Sequence, residues 1–294
     1  PETDNIYSQR GGEIMRNRQS LIVSLMLGGL LVAIPLMAQA GGTIKGKVTY
    51  SGKPIPAKVF AIDKFPNSVF CSKNSNVENI EIREVDQSGK KVKKAFGDRL
   101  LKEVEVDGSK GLKNVIVSVR GIKDKGFKYK PHVKAKLCEF LPFTGVLVNK
   151  GNFMVENTDA DPDDPKSKEG VLHNPHSFDL LGAKSSTLFN IGLARKGDKL
   201  DKKIKMRMAR KGSVLRLQCD QHEFMQSWFL PVKNSYFGVT SGDGTIEIKD
   251  VPAGKHKVLA WHPVAGNVQI EVEVKDGATV EANFDIKKKN KFKG

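Results

Sequence analysis

Apolar and polar residues alternate at a period of two in short runs along most of this chain, and extended helical spacing is scarce. GTIKGKVTY, from Gly42, sets Ile44, Val48 and Tyr50 on one side before a Gly-Lys-Pro turn and a second extended run, which predicts a β-hairpin. LLKEVEV and GLKNVIVSVRG predict strands, the latter with Val115, Val117 and Val119 on one face and Leu112, Ile116 and Ser118 on the other. Between Asp63 and Lys102 the polar residues and short apolar fragments predict a long connection with at most a short helix and minor strands. HVKAKLCEFLP and TGVLVNKGNFMVEN then open a second strand-rich section. In the basic run that follows, Ile204, Met206 and Met208 alternate, which favours a solvated loop and strand over a membrane-surface helix. VLRLQ and SWFLPV predict two more strands, and YFGVTSGDGTIEIKDVPAGKHKVLAWHP and NVQIEVEVKDGATVEANFDI add hairpins around Gly242-Asp243-Gly244 and Val-Pro-Ala-Gly turns. Short strands at intervals of roughly 8–12 residues, broken by Gly and Pro, predict an all-β chain of sandwich type.

The first 40 residues break this pattern. Arg16 and Arg18 precede an apolar run from Leu21 to Met37, and Ala38-Gln39-Ala40 is a small-x-small cleavage site, so the segment reads as an upstream extension and secretory signal peptide, with Met15 the expected initiator. An uncleaved membrane anchor is the alternative. Removal of this segment takes away as many acidic as basic groups, so the formal net charge of +16 belongs to the exported part. In a periplasmic or otherwise secreted setting a basic surface meets acidic proteins or anionic envelope polymers, not nucleic acid, and no stable membrane span is expected after cleavage. The plainer reading is a soluble lysine-rich surface. The tail from residue 287 to 294 is too charged to pack.

One stretch carries chemistry. Cys219, His222 and Met225 stand at intervals of three in a short loop between two predicted strands, and a tight loop there can aim all three side chains at one centre. Two soft sulfur donors and an imidazole suit copper better than magnesium, calcium or structural zinc. A second imidazole would complete the trigonal His2Cys arrangement with a weak axial Met that serves electron transfer. Val171-Leu172-His173-Asn174-Pro175-His176 offers that imidazole. Side chains at 173 and 176 point to opposite sides of a regular strand, so only one of the two can serve. Asp159, Asp161, Asp163, Asp164 and Glu169 offer hard oxygens but lack the spacing of a calcium loop, and they read as a solvated acidic loop. His262 has a packing or interface role, with a second metal site as the alternative, and His132 and His256 read as exposed. The chain has no Gly-rich phosphate cradle, Gly-x-Ser-x-Gly elbow or His-Glu-x-x-His pair, so no hydrolase apparatus is visible.

With these motifs the sequence resembles the cupredoxins, most closely the amicyanin/plastocyanin-like type 1 copper proteins, whose loop reads Cys-x-x-His-x-x-Met and whose distant ligand opens a His-Asn-x-His motif. Asn157-Thr158-Asp159, Leu188-Phe189-Asn190, Pro231 to Val239 and Trp261-His262 extend the likeness to a methylamine-utilisation-protein-like group. The resemblance implies copper as cofactor, with His173, Cys219 and His222 as equatorial ligands and Met225 as the axial one. It favours His173 over His176 and gives Asn174 the task of bonding across to the loop that carries Cys219. Family members carry cysteines at positions matching Cys71 and Cys138, which implies a disulfide between them, two free buried thiols being the alternative. An acidic insertion, Ala160 to Gly170, and Glu223 in place of a frequent proline depart from the family pattern.

The strands after Pro231 resemble a transthyretin-like or carboxypeptidase-regulatory-like β-sandwich, whose usual first strand lies here at Gly42. The resemblance therefore implies residues 42–122 with 233–286 as one discontinuous domain and residues 123–232 as an inserted Greek-key cupredoxin domain, or else separate sandwiches in series. The function implied is a non-enzymatic exported electron carrier, with His222 at the barrel end as the outlet and an acidic redox protein as partner. A copper-binding or delivery module and a structural envelope protein are the competing functions. A multicopper oxidase would need His-x-His and His-Cys-His motifs, which the sequence lacks.

Overall fold

The computed structural model describes residues 41–287, so the expected signal segment and most of the basic tail lie outside the described residues. The described chain is all-β, with a single α-helical turn, Ser68–Cys71, and two 3-10 turns.

The first sandwich is built on Val214–Cys219. This strand pairs antiparallel with Pro175–Leu181 and with Gln226–Pro231, and Lys184–Asn190 and Thr144–Leu147 complete a five-stranded sheet. Lys199–Lys203, Asn152–Asn157, His132–Ala135 and Phe140–Leu141 form a four-stranded sheet. The period-two pattern is obeyed closely. Leu215, Leu217 and Cys219 are buried while the residues between them are only partly so, and Phe153, Val155 and Phe229 join the same apolar cluster. Cys219 is thus the last inward-facing position of a core strand, which is why its thiol is buried. Packing is close enough at one point to exclude any side chain: a Cβ on Gly145 would lie 2.6 Å from the ring of Phe229.

The second sandwich draws on both ends of the described chain. Gly42–Tyr50 pairs antiparallel with Thr245–Val251 and parallel with Thr279–Glu281 and Phe284–Ile286. Phe237–Val239, Ile116–Arg120, Gly254–His262 and Gly266–Val274 make the other sheet. Val115, Val117 and Val119 enter this core with Ile44, Val48 and Phe284. Ile116, on the opposite face, joins Val146, Leu230, Leu259 and Trp261 in a third apolar cluster that ties the two sandwiches together.

The largest departure from the sequence expectation is residues 63–102. In place of a long connection, Val77–Gln87 and Lys90–Leu101 form a long antiparallel hairpin, joined by Lys58–Ala61. Nearly every side chain of Val77–Gln87 is exposed, Ile80 and Ile82 included, so the brief alternation of those two marks no buried face. Its turn does have a signal. Ser88 and Gly89 both take positive φ (54° and 73°), the geometry of a tight two-residue hairpin turn, and Asp86 accepts the Gly89 N–H. The side chains at the base of this segment, Ile62, Phe70, Cys71, Ala95 and Leu101, pack in the core of the first sandwich, not with the strands of residues 42–122 among which the sequence grouped them. Ile204 and Met206 are buried as the alternation at 204–208 requires.

Candidate metal centre

Two segments meet at the end of the first sandwich. Pro175 lies opposite Cys219 in the ladder, and just beyond it Asp220 N–H donates to the Asn174 carbonyl at 3.0 Å. The loop is closed by Cys219 N–H donating to Met225 O (3.1 Å) and Met225 N–H to His222 O (2.9 Å). His173 is held from the other side by reciprocal main-chain bonds with Leu193. This framework brings Cys219 Sγ and a ring nitrogen of each of His173 and His222 within 4.8 Å of one another. His173 and His222 are fully buried, Cys219 is 1% exposed, and the fully buried Met225 packs in the same cluster.

The proton positions follow from the outer edges of the two rings. His173 Nε2 lies 2.8 Å from Asp159 Oδ2, so Nε2–H donates to the carboxylate and Nδ1 keeps its lone pair. His222 Nε2–H donates to the Pro66 carbonyl at 3.2 Å, leaving Nδ1 to face Cys219 Sγ at 3.7 Å. His173 Nδ1 is buried and makes no hydrogen bond, an orphaned lone pair at the centre of the cluster. Burial alone would push the Cys219 thiol up, but the adjoining His173 and His222 imidazoles outweigh it and bring it down to about 6, so the sulfur readily gives up its proton to a metal ion.

A buried thiolate, a buried carboxylate and two inward lone pairs call for a soft cation. Donors ~2.0 Å (N) and ~2.3 Å (S) from a shared ion at a trigonal angle of about 120° stand ~3.7 Å apart, the separation of His222 Nδ1 from Cys219 Sγ. The residues present therefore fit such an ion.

Asp159 was not legible as a site residue. The sequence grouped it with a solvated acidic loop, yet it is 3% exposed and accepts Leu137 N–H at 2.6 Å and Cys138 N–H at 2.9 Å besides the imidazole. Leu137 and Cys138 both hold positive φ (49° and 55°), a costly conformation for side-chain-bearing residues that aims two successive amides at one carboxylate. Asp161 is also buried, 3.4 Å from Lys73 Nζ, and Ser167 bonds to Asn67, so the acidic insertion docks on the segment beside Cys71 instead of standing free in solvent.

His176 lies outside the cluster. Its ring sits half-buried on the other side of the strand, with Nδ1 3.0 Å from Asp220 and Nε2 3.2 Å from Thr187. The link between Asn174 and the cysteine loop runs through the main chain: Asn174 N–H donates to Cys219 Sγ at 3.3 Å, while its side-chain oxygen is buried without a partner. Cys71 and Cys138 form a disulfide (S–S 2.04 Å), and Cys71 Sγ lies 3.6 Å from His222 Nε2. His222 is consequently roofed by Pro66, Cys71 and the Phe224 ring, not open at the barrel end as the sequence implied. His262 is buried far from these groups in the chain and caps a turn: its Nδ1 accepts Val264 and Ala265 N–H, and burial lowers its pKa to about 3.

No family model and no curated protein matches this chain. Parts of it are similar to solved copper proteins. A purple cupredoxin from Nitrosopumilus maritimus is 16% identical over 34% of this chain and 98% of its own, with a TM-score of 0.25. A copper(I) form of an amicyanin mutant is 10% identical over 40% of this chain and 98% of its own, with a TM-score of 0.26. For a copper-containing nitrite reductase from Thermus scotoductus the identity is 13% and the TM-score 0.27, and the match spans 40% of this chain but 25% of that enzyme. Likeness at this level carries no weight for function, which rests on the geometry of the residues themselves.

Proposed function

We propose that this chain is an exported type 1 copper protein of cupredoxin architecture that passes single electrons between redox partners. His173 and His222 would hold the ion through Nδ1, Cys219 through its thiolate and Met225 from the axial side. The observation that carries this reading is the orphaned, fully buried Nδ1 of His173, held in the lone-pair tautomer by Asp159 and facing a thiolate that also meets the Nδ1 of His222.

Copper held there supplies one-electron exchange between two oxidation states. The chain's part is to keep the surroundings unchanged during that exchange. Asp159 and the Pro66 carbonyl hold the outer protons of the two imidazoles. The Asn174 amide donates to the Cys219 sulfur and moderates its charge. Phe224, Met225 and the disulfide exclude water. Complete burial of the donors favours a resident ion over cargo that is handed on, and a disulfide in the fold suits an oxidising compartment such as the periplasm. We also propose the two-domain division with one revision: residues 58–101 go with the copper domain whose core they fill.

Copper loading of the purified protein tests the reading. One equivalent of copper with an intense visible thiolate charge-transfer band and the narrow hyperfine splitting of a type 1 centre is expected, both lost in Cys219→Ser. Stoichiometric copper without that band would refute the electron-carrier assignment.

A further inference from the structure

We propose that Arg99, a buried cation brought in by the hairpin segment, sets the reduction potential of the centre by favouring the reduced ion over the oxidised one. This rests on the copper reading above and deepens it, because it names the residue that fixes the driving force of electron transfer.

Arg99 belongs to Lys90–Leu101, outside the two sheets of the copper domain. In its ladder it lies between Phe60 and Val77, so its side chain shares their face toward the core, and it is 2% exposed. The guanidinium carbon stands 5.0 Å from the centre of the Phe224 ring, and that ring stands 5.6 Å from the His222 imidazole. One aromatic side chain thus separates a buried cation from a proposed ligand. Phe224 is itself buried and meets Phe60 and Phe65 edge-on, which keeps the gap dry.

Little offsets this charge. Nη1 donates to the Leu100 carbonyl at 2.9 Å, and Nε is buried without a hydrogen bond. The ion pair with Glu139 is long, at 4.0 Å, and the Glu139 side chain is one-third exposed and also accepts Asn74 Nδ2–H. Asp159, the buried carboxylate of the centre, faces His173 and is engaged by three donors of its own. Burial opposes the charge on Arg99, yet a guanidinium does not give up its proton inside a protein. An apolar residue of similar volume is commonly as stable as a buried ion pair or more so, and packing therefore does not account for an arginine here. An electrostatic task does. The oxidised ion carries one more positive charge than the reduced ion, and a nearby cation raises its energy more. Two unit charges about 10 Å apart, at an effective dielectric of about 20, shift an equilibrium roughly tenfold, which is about 59 mV for a one-electron couple.

The test equilibrates the copper-loaded protein with hexacyanoferrate(II) and hexacyanoferrate(III). One electron passes from hexacyanoferrate(II) to the oxidised protein, giving hexacyanoferrate(III) and the reduced protein, with no bond formed or broken and no proton moved. Arg99→Met and Arg99→Gln, both neutral but unlike in shape, should each lower the equilibrium constant about tenfold, whereas Glu139→Gln, which removes the opposing charge at a partly exposed position, should raise it about threefold. The Arg99 shifts should persist at high salt because the charge is buried, and the exposed Lys255→Gln should change the constant less than about twofold. Chelator competition supplies a second readout: the ratio of copper(I) to copper(II) affinity should fall about tenfold in the Arg99 variants. An unchanged constant in Arg99→Met or Arg99→Gln with the copper band intact would overturn the proposal. If neither Arg99 variant folds, Glu139→Gln decides, and a constant that stays the same or falls overturns it. A wild-type protein without the copper band overturns the electron-carrier reading itself before any equilibrium is measured, so the two failures are told apart.

Discussion

Asp159→Asn removes one negative charge and leaves the shape almost unchanged. The carboxylate accepts three hydrogen bonds, from Leu137 N–H at 2.6 Å, Cys138 N–H at 2.9 Å and His173 Nε2–H at 2.8 Å. An asparagine has one acceptor oxygen. Leu137 N–H bonds Oδ1 while Cys138 N–H and His173 Nε2–H share Oδ2, so when the asparagine oxygen keeps Leu137 its NH2 group faces His173 Nε2, and the imidazole must shift its proton to Nδ1 to accept the bond. That proton would occupy the lone pair now orphaned in the cluster. Loss of such a partner behind a metal-bound histidine costs roughly 10- to 100-fold in metal affinity, about 1.4–2.7 kcal/mol. Competition titration with a copper chelator of known affinity measures it, and urea unfolding of the metal-free form separately reports the stability change. A variant that binds copper within twofold of the wild type would refute the assignment of Asp159 as the group that orients His173.

The other predictions are independent of one another. Replacing both Cys71 and Cys138 by serine opens a loop closed over a sequence separation of 67; the chain-entropy relation gives a loss of about 4 kcal/mol, read from the urea midpoint, and a loss below about 1 kcal/mol would show the cross-link to be energetically idle. His262 stays neutral in the folded state with a pKa of about 3 against an ordinary 6.5, so stability is fully present above pH 6.5 and declines as pH falls toward 3. The decline reaches about 2 kcal/mol by pH 5, and His262→Gln should remove that part of the slope in metal-free unfolding curves; an unchanged slope would sink the assignment. Gly145→Ala would press a methyl into the fully buried Phe229 ring and should cost about 1–3 kcal/mol, visible as a Tm several degrees lower, with an unchanged Tm counting against the packing described.

The strands of the two sandwiches were legible because one face of each is dry: Leu215, Leu217 and Cys219 write a period of two into the sequence, and so do Val115, Val117 and Val119. The hairpin of residues 77–101 was not, because an exposed strand held by main-chain pairing keeps only the short Ile80/Ile82 alternation, and Ser88-Gly89 marks its turn. At the centre, donor type and spacing pointed to Cys219, His222 and Met225, strand alternation left room for only one of His173 and His176, and the family resemblance favoured His173. The groups behind those donors escaped notice for another reason. Asp159 stands in an acidic, polar stretch that looks solvated, and the Pro66 carbonyl is main chain, which no side-chain pattern reports. The closed His222 edge is a matter of tertiary contact, from a segment far upstream of the loop it covers.

One carboxylate serves two masters in this arrangement. Asp159 grips the amide of Cys138, one half of the cross-link, and the imidazole of His173 with the same oxygen, Oδ2. The covalent tether and the orientation of the ring therefore share a pivot, and a disturbance at either end is transmitted to the other through a single buried atom. A chain whose cysteine pair stays open would for that reason be expected to lose its hold on the His173 ring as well.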